Sequence, residues 1–290
     1  MKSYHDIVGD GGSNIVQQVE AGREKIARAL AHVRHRVAIG SGKGGVGKST
    51  LTRALASVLA ARGLEVAVLD ADLNGPTQAR MSGLAGAVPL PGPDGLGLPR
   101  ARDGVRVFSI GEMLPETAAL EFASVAQGDA HTWRATKEFA LLGELLGSIA
   151  WGRLDVLLFD LPPGAERTAQ FADFLGPETA FALVTIPSEI SRGVVARSIA
   201  ALSPTGVPIA GYVENMSGYL CPDCGDVKPL FPDAGEVRLD LPCLGRVPFD
   251  PALALACDRG TSFAELPPTA ATRALTEVAE RMIAFLETPR

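Results

Sequence analysis

Between an apolar run, Val37-Ala38-Ile39, and an Ala/Leu-rich stretch, Leu51 to Leu59, the chain reads Ser41-Gly-Lys-Gly-Gly-Val-Gly-Lys-Ser-Thr50. Glycines at this density keep side chains away, so consecutive backbone N–H groups can curl around a polyphosphate. A helix starting behind them adds partial positive charge. The expected nucleotide contacts are Gly42, Lys43, Gly44, Gly45, Val46, Gly47, Lys48, Ser49 and Thr50. Lys48 is the residue to reach the β- and γ-phosphates, and the Ser49 hydroxyl the one to ligate Mg²⁺. A glycine-rich turn between strand and helix can be merely structural, but the full Gly-x-x-x-x-Gly-Lys-Ser pattern in this setting points to a nucleoside triphosphate.

Two further segments offer carboxylates. Asp70-Ala-Asp72 follows the short apolar stretch Glu65 to Leu69, which reads as a strand ending on the sheet edge where ligands bind in open α/β folds. One such aspartate could simply cap the next turn; two alternating carboxylates beside a phosphate loop suit Mg²⁺ and water handling. Asp72 is the choice for orienting the attacking water, with Asp70 beside it at the nucleotide. Asp160 ends the run Val156-Leu157-Leu158-Phe159, the form of a Walker B strand delivering one carboxylate to the metal's water shell.

The third chemical feature is Cys221-Pro-Asp-Cys224-Gly. Two thiolates on one turn are half of what a tetrahedral Zn²⁺ or an iron–sulfur cluster requires, and a two-fold axis would supply the other half. A bridging cluster, a bridging zinc, and a redox or structural turn all remain open at this point, because soft thiolates suit cluster and zinc alike. Cys243, in an apolar strand-like stretch, and Cys257, on a short helical one, read as small core residues. His5, His32, His35 and His131 fall far from the pair in sequence and read as surface or packing residues.

The elements that must position these groups alternate. A helix is expected over 13–34, then strands ahead of the phosphate loop, at 65–69, at Val105–Ile110, Asp155–Phe159, Ala180–Ile186 and Ile209–Val213. Helices are expected at 131–150, 189–202 and Thr269–Leu286, and the Gly/Pro-rich 83–104 reads as a surface excursion. Strands alternating with helices imply a mostly parallel β-sheet with helices on both faces. The domain reading is an N-terminal helical extension, 1–36, and one P-loop domain, 37–290, with the Cys-x-x-Cys loop near 217–236. The net charge of −6 comes without a basic block, so neither nucleic acid nor an anionic membrane is the expected partner. No run of eighteen apolar residues and no apolar leader occur, and a cytoplasmic protein is expected.

The ordered combination of motifs resembles a known family. Lys43 at the head of the loop resembles the deviant Walker A lysine of the MinD/ParA/nitrogenase-iron-protein/Mrp class, which reaches across a dimer interface to the partner's phosphates. Asp160-Leu-Pro-Pro-Gly164, and Val213-Glu-Asn-Met-Ser217 followed by the cysteine pair, resemble the Mrp/ApbC iron–sulfur cluster carrier ATPases, as do Trp133-Arg134 and Val247-Pro-Phe-Asp-Pro251. The resemblance, from about Val37 onward, implies a P-loop fold of the MinD type and a homodimer that binds and hydrolyses ATP with Mg²⁺. It implies a [4Fe-4S] cluster bridging two subunits at Cys221 and Cys224 and passed to apo iron–sulfur client proteins. It also makes Asn215 the adenine-reading residue, the Pro248 segment a base-flanking loop, and Lys43, Lys48 and Asp72 the catalytic set. The alternative is a nucleotide-switched dimeric positioning ATPase with a structural zinc bridge. Where the family continues Pro-Pro-Gly with Thr-Gly-Asp this chain has Ala165-Glu166-Arg167, and Ala135-Thr136 stands where Gly-Pro follows Trp-Arg. Weak basal hydrolysis is expected from these departures.

Overall fold

A computed structural model describes residues 24, 26–73, 75–109, 130–231 and 239–288, with the side chains of 130–138 and 264 left aside. A parallel sheet runs through the centre in the order β10-β8-β7-β1-β6-β2-β5. Its strands are β1 (Val33–Ser41), β2 (Val66–Asp70), β5 (Arg106–Ser109), β6 (Leu154–Asp160), β7 (Thr179–Thr185), β8 (Ile209–Leu220) and β10 (Cys243–Phe249). A two-residue strand, β9 (Val227–Lys228), pairs antiparallel with the far end of β8. β2, β6 and β7 are fully or almost fully buried along their length, because a parallel sheet is covered on both faces and has no solvent side to mark with alternating polar residues.

The covering helices are amphipathic at the expected spacing. On one face lie α1 (Lys48–Ala61), α6 (Pro251–Arg259) and α7 (Ala270–Glu287), which bury Leu51, Leu55, Leu59, Leu253, Leu275, Val278 and Met282. On the other lie α3 (Ala130–Ser148), α4 (Ala165–Leu175) and α5 (Glu189–Leu202), with Leu142, Leu146, Phe171, Val195 and Leu202 inside. α7 starts at a capping box in which the Thr269 hydroxyl accepts from the Thr272 N–H and Thr272 Oγ1 accepts from the Thr269 N–H. The buried stripe of α7 packs on β10, as its mixed-charge outer side leads one to expect.

The structure differs from the sequence expectations in three places. β8 does not stop at Val213 but runs on to Leu220, although Glu214 and Asn215 are polar. Glu214 is matched by the largely buried Arg192 at 3.3 Å and by the exposed Arg246 at 3.3 Å, and Asn215 is hydrogen-bonded to the phosphate loop, so the strand can bury both. The 83–104 excursion contains a small hairpin, β3 (Leu90–Gly92) with β4 (Gly95–Gly97). The helix expected over 13–34 gives way to β1 at Val33; residues 26–29 are helical, and most of the 1–36 extension lies outside the described residues. Ile110, His5 and the 232–236 end of the cysteine loop also lie outside them. Among the described residues no helix is long and apolar enough to cross a membrane.

Candidate nucleotide site and cysteine turn

β1 hands the chain to the phosphate loop, and α1 begins at Lys48; α2 (Gln78–Met81) has a single turn. The loop lines a cleft of about 250 Å³ whose other walls are Asp72, Thr77, Met81 and Pro163. Gly47, just before the helix, has φ of 77°, and a Cβ there would sit 2.3 Å from Asn215 Nδ2. Nothing but glycine fits, so the backbone N–H groups at the head of α1 stay open to an anion. Mg²⁺ and a polyphosphate fit this cradle: Lys48, the Ser49 hydroxyl and the loop N–H groups are the groups that would hold them.

Lys48 and Asp160 form an ion pair beneath the loop. Asp160 reaches this point because β6 pairs with β1 and β2 in a register that sets it beside Ile39 and Asp70. Its carboxylate also accepts from Gln78 Nε2 at 2.8 Å and Thr52 Oγ1 at 3.3 Å. The two carboxylates of Asp70-Ala-Asp72 part company. Asp72 lines the cleft. Asp70 is buried and accepts from the N–H groups of Thr77 (2.7 Å), Gln78 (3.0 Å) and Asp72 (3.2 Å), and from the Ser109 hydroxyl (3.2 Å). It thus organises the turn into α2 and does not line the cleft. Burial first, and the neighbouring Asp160 charge second, push its carboxyl up to about 7.

Asn215 donates from Nδ2 to the Val46 carbonyl at 2.9 Å, so its amide nitrogen is engaged with the loop itself. Met216, next along β8, has φ of 53° and is the single non-glycine residue with positive φ among those described. The strand continues from there to Leu220, and the cysteine turn begins at once. The Cys221 N–H donates to Asp226 O and the Gly225 N–H to Cys221 O, both at 2.9 Å, closing a tight exposed loop. The Cys224 N–H, then the Asp223 N–H, stabilise the Cys221 sulfur and draw its pKa down to about 7, while that of Cys224 is raised. One sulfur of the pair is therefore poised as thiolate. Among the described residues no group of three or more His, Cys, Asp or Glu side chains is arranged to hold a metal. Cys243 contacts its own strand at Gly245 O (3.6 Å). Cys257 is 3% exposed, and its burial pushes the thiol up to about 11.

Ala165-Glu166-Arg167 forms the first turn of α4, and the Arg167 guanidinium lies over the rings of Phe139 (5.3 Å) and Phe171 (5.5 Å). In the Pro248 segment the Phe249 and Tyr219 rings stack with centroids 6.3 Å apart, joining the end of β10 to the end of β8. Sequence reasoning missed Gln78 and Thr52, which flank Asp160; neither carries a motif, and only the sheet register brings them to it.

The family model for the NUBPL iron-transfer P-loop NTPases of the ParA group matches residues 32–283. An iron–sulfur cluster carrier protein of Saccharolobus solfataricus is 33% identical over 279 residues, 93% of this chain and 90% of that protein. The cytosolic Fe-S cluster assembly factor NUBP2 of Bos taurus is 36% identical over 268 residues, 90% of this chain and 95% of that one. Among solved structures, a nucleotide-binding protein from Archaeoglobus fulgidus in complex with ADP matches with a TM-score of 0.68 and 29% identity, covering 86% of this chain and 98% of that one. The Pyrococcus furiosus cell division ATPase MinD shares the fold at a TM-score of 0.59 and 21% identity, over 86% of this chain and 98% of that one. Motifs, fold and relatives converge: the chain belongs to the iron-transfer P-loop NTPase family and is an ATPase of that family.

Proposed function

We propose that the protein is a cytoplasmic, dimeric iron–sulfur cluster carrier: two copies hold one [4Fe-4S] cluster as cargo between their Cys221 and Cys224 pairs, and ATP binding and hydrolysis govern its transfer to apoproteins. The observation that carries this reading is the exposed Cys221–Cys224 turn at the end of the strand whose Asn215 touches the phosphate loop. One chain offers two thiol ligands where a cluster takes four, and a second copy of the same turn completes the set.

On this reading the loop N–H groups and Lys48 bind the polyphosphate. Ser49 would ligate Mg²⁺, Asp160 would hold its water shell, and Asp72 would orient the attacking water. Mg²⁺, when bound, would supply positive charge against the charge that develops on the phosphate oxygens. Lys43, at the mouth of the cleft, serves the partner's phosphates, so that nucleotide binding and dimer closure are one event. Arg167, packed on aromatic rings where the family pattern has an aspartate two residues after a threonine, supports slow hydrolysis by the isolated protein.

Reconstitution without oxygen, using iron and sulfide, tests the reading. The expected product is a dimer approaching four iron and four sulfide, with [4Fe-4S] absorption that moves to an apoprotein needing such a cluster. Stoichiometric zinc with no cluster uptake overturns it in favour of a zinc-bridged, nucleotide-switched interaction protein.

A further inference from the structure

We propose that Gln78 is a positioning residue for the magnesium side of the nucleotide site, one that keeps the Asp160 carboxylate aligned with Ser49 when Lys48 turns to the phosphates. Gln78 is completely buried. Its Nε2 donates to Asp160 Oδ2 at 2.8 Å and to the Ser49 carbonyl at 2.9 Å. Both partners accept only, so the nitrogen must face them and the orientation of the amide is fixed by chemistry. The remaining oxygen, Oε1, is then buried with no hydrogen-bond partner among the described residues. An orphaned buried acceptor is costly, and a methionine or leucine of similar volume would avoid that cost. The orphaned oxygen offsets part of what the amide contributes, so the reason for an amide here lies in the two bonds made by its nitrogen, to Asp160 and Ser49.

Those bonds join three walls of the site: the head of α1 at Ser49, the end of β6 at Asp160, and the segment that carries Asp72 and Thr77 into the cleft. They also divide the work on Asp160. Lys48 and Thr52 occupy Oδ1, and Gln78 alone among the described residues occupies Oδ2. A lysine ammonium that moves to a phosphate must release Oδ1. The Thr52 hydroxyl is a weak anchor for Oδ1, because its one proton also serves the Lys48 carbonyl at 2.9 Å, so Gln78 on Oδ2 keeps the carboxylate in place. This role rests on the assignment of Ser49 and Asp160 to Mg²⁺ and is independent of what the cysteines carry.

The test uses the intact chain, wild type against Gln78→Met and Gln78→Leu, with a fluorescent ADP titrated at a series of Mg²⁺ concentrations and again in EDTA. The expected result is a roughly tenfold or greater rise in the Mg²⁺ concentration giving half of the full effect on binding, the usual cost of losing an outer-shell partner. Metal-free ADP affinity should stay within about twofold, and the thermal midpoint should fall only modestly, since loss of the orphaned oxygen offsets part of the cost of leaving Asp160 Oδ2 and the Ser49 carbonyl without this donor. Wild-type Mg²⁺ dependence in a folded variant overturns the proposal, as does a lowered midpoint with Mg²⁺ dependence intact, the mark of a purely structural residue. A wild type whose ADP binding ignores Mg²⁺ overturns the metal assignment of Ser49 and Asp160, and this role with it, while leaving the cluster reading standing.

Discussion

Lys48 and Asp160 meet inside the protein, their side chains 6% and 0% exposed, so the cation of the phosphate loop is already neutralised by a buried carboxylate. The pair behaves as a unit in which removing one member strands the other.

Lys48→Ala leaves the Asp160 charge buried with, among the described residues, only Gln78 and Thr52 on it. Breaking a buried pair from one side costs about 3–5 kcal/mol, and the surviving hydrogen bonds place this case at the lower end. Urea unfolding should show that loss, and the double change Lys48→Ala with Asp160→Asn should recover most of it. Nucleotide binding should be absent in both. Equal stability of the single and double variants would mean that the pair contributes little.

Lys43 differs from Lys48 in standing at the mouth of the cleft and outside the core. If it acts on the partner's phosphates, Lys43→Ala should lower hydrolysis by roughly ten- to a thousandfold, toward the range known for a cation supplied in trans, while the separate subunits bind nucleotide almost normally. Steady-state turnover beside equilibrium titration decides it: unchanged turnover makes Lys43 a solvated charge.

Asp70 and Asp72, two residues apart, should respond to different measurements. The Asp70 carboxyl is raised from 3.8 to about 7 in the folded protein, so the native state binds a proton that the unfolded chain has released. Its contribution is therefore fully present below the unfolded value and is lost as pH rises through about 7. Wild-type stability relative to Asp70→Asn should fall between pH 4 and pH 7, read from urea midpoints of nucleotide-free protein. Asp72→Asn should leave that profile alone and slow ATP hydrolysis while ATP still binds. Parallel stability profiles for wild type and Asp70→Asn would remove the buried-proton account.

Much of this site is legible in the sequence because its parts are local. The phosphate loop declares itself through glycine spacing, and Asp160 through the apolar strand before it. What the sequence hides is long-range. Asp70 and Asp72 look equivalent in the one-dimensional pattern, and only the turn into α2 shows that one caps backbone N–H groups while the other faces the cleft. β8 reads as ending at Val213 because Glu214 and Asn215 break the apolar pattern. Their partners, Arg192, Arg246 and Val46, lie 22 to 169 positions away in the chain and on other elements. Gln78 escapes for the same reason, since an isolated glutamine has no spacing to betray it.

The four cysteines give the sharpest separation of functions. Cys221 and Cys224 lie on the exposed turn with one sulfur poised as thiolate; Cys257 is sealed in the core with its thiol pushed up to about 11, and Cys243 bonds within its own strand. A metal ligand must reach the metal, and Cys221 and Cys224 share one turn at the surface while Cys257 is sealed away. In protein reconstituted without oxygen, Cys221→Ala or Cys224→Ala should each abolish bound iron and sulfide, whereas Cys243→Ala should leave them unchanged. Cys257→Ala removes a buried sulfur and should cost about 1–2 kcal/mol of stability with iron content intact. Iron and sulfide assays beside sedimentation of loaded and empty protein provide the readout, because a shared cluster should hold the dimer together and either exposed-cysteine variant should lose that cohesion. Full iron content in Cys221→Ala, or its loss in Cys243→Ala, would place the ligands elsewhere and break the link between the exposed turn and the dimer.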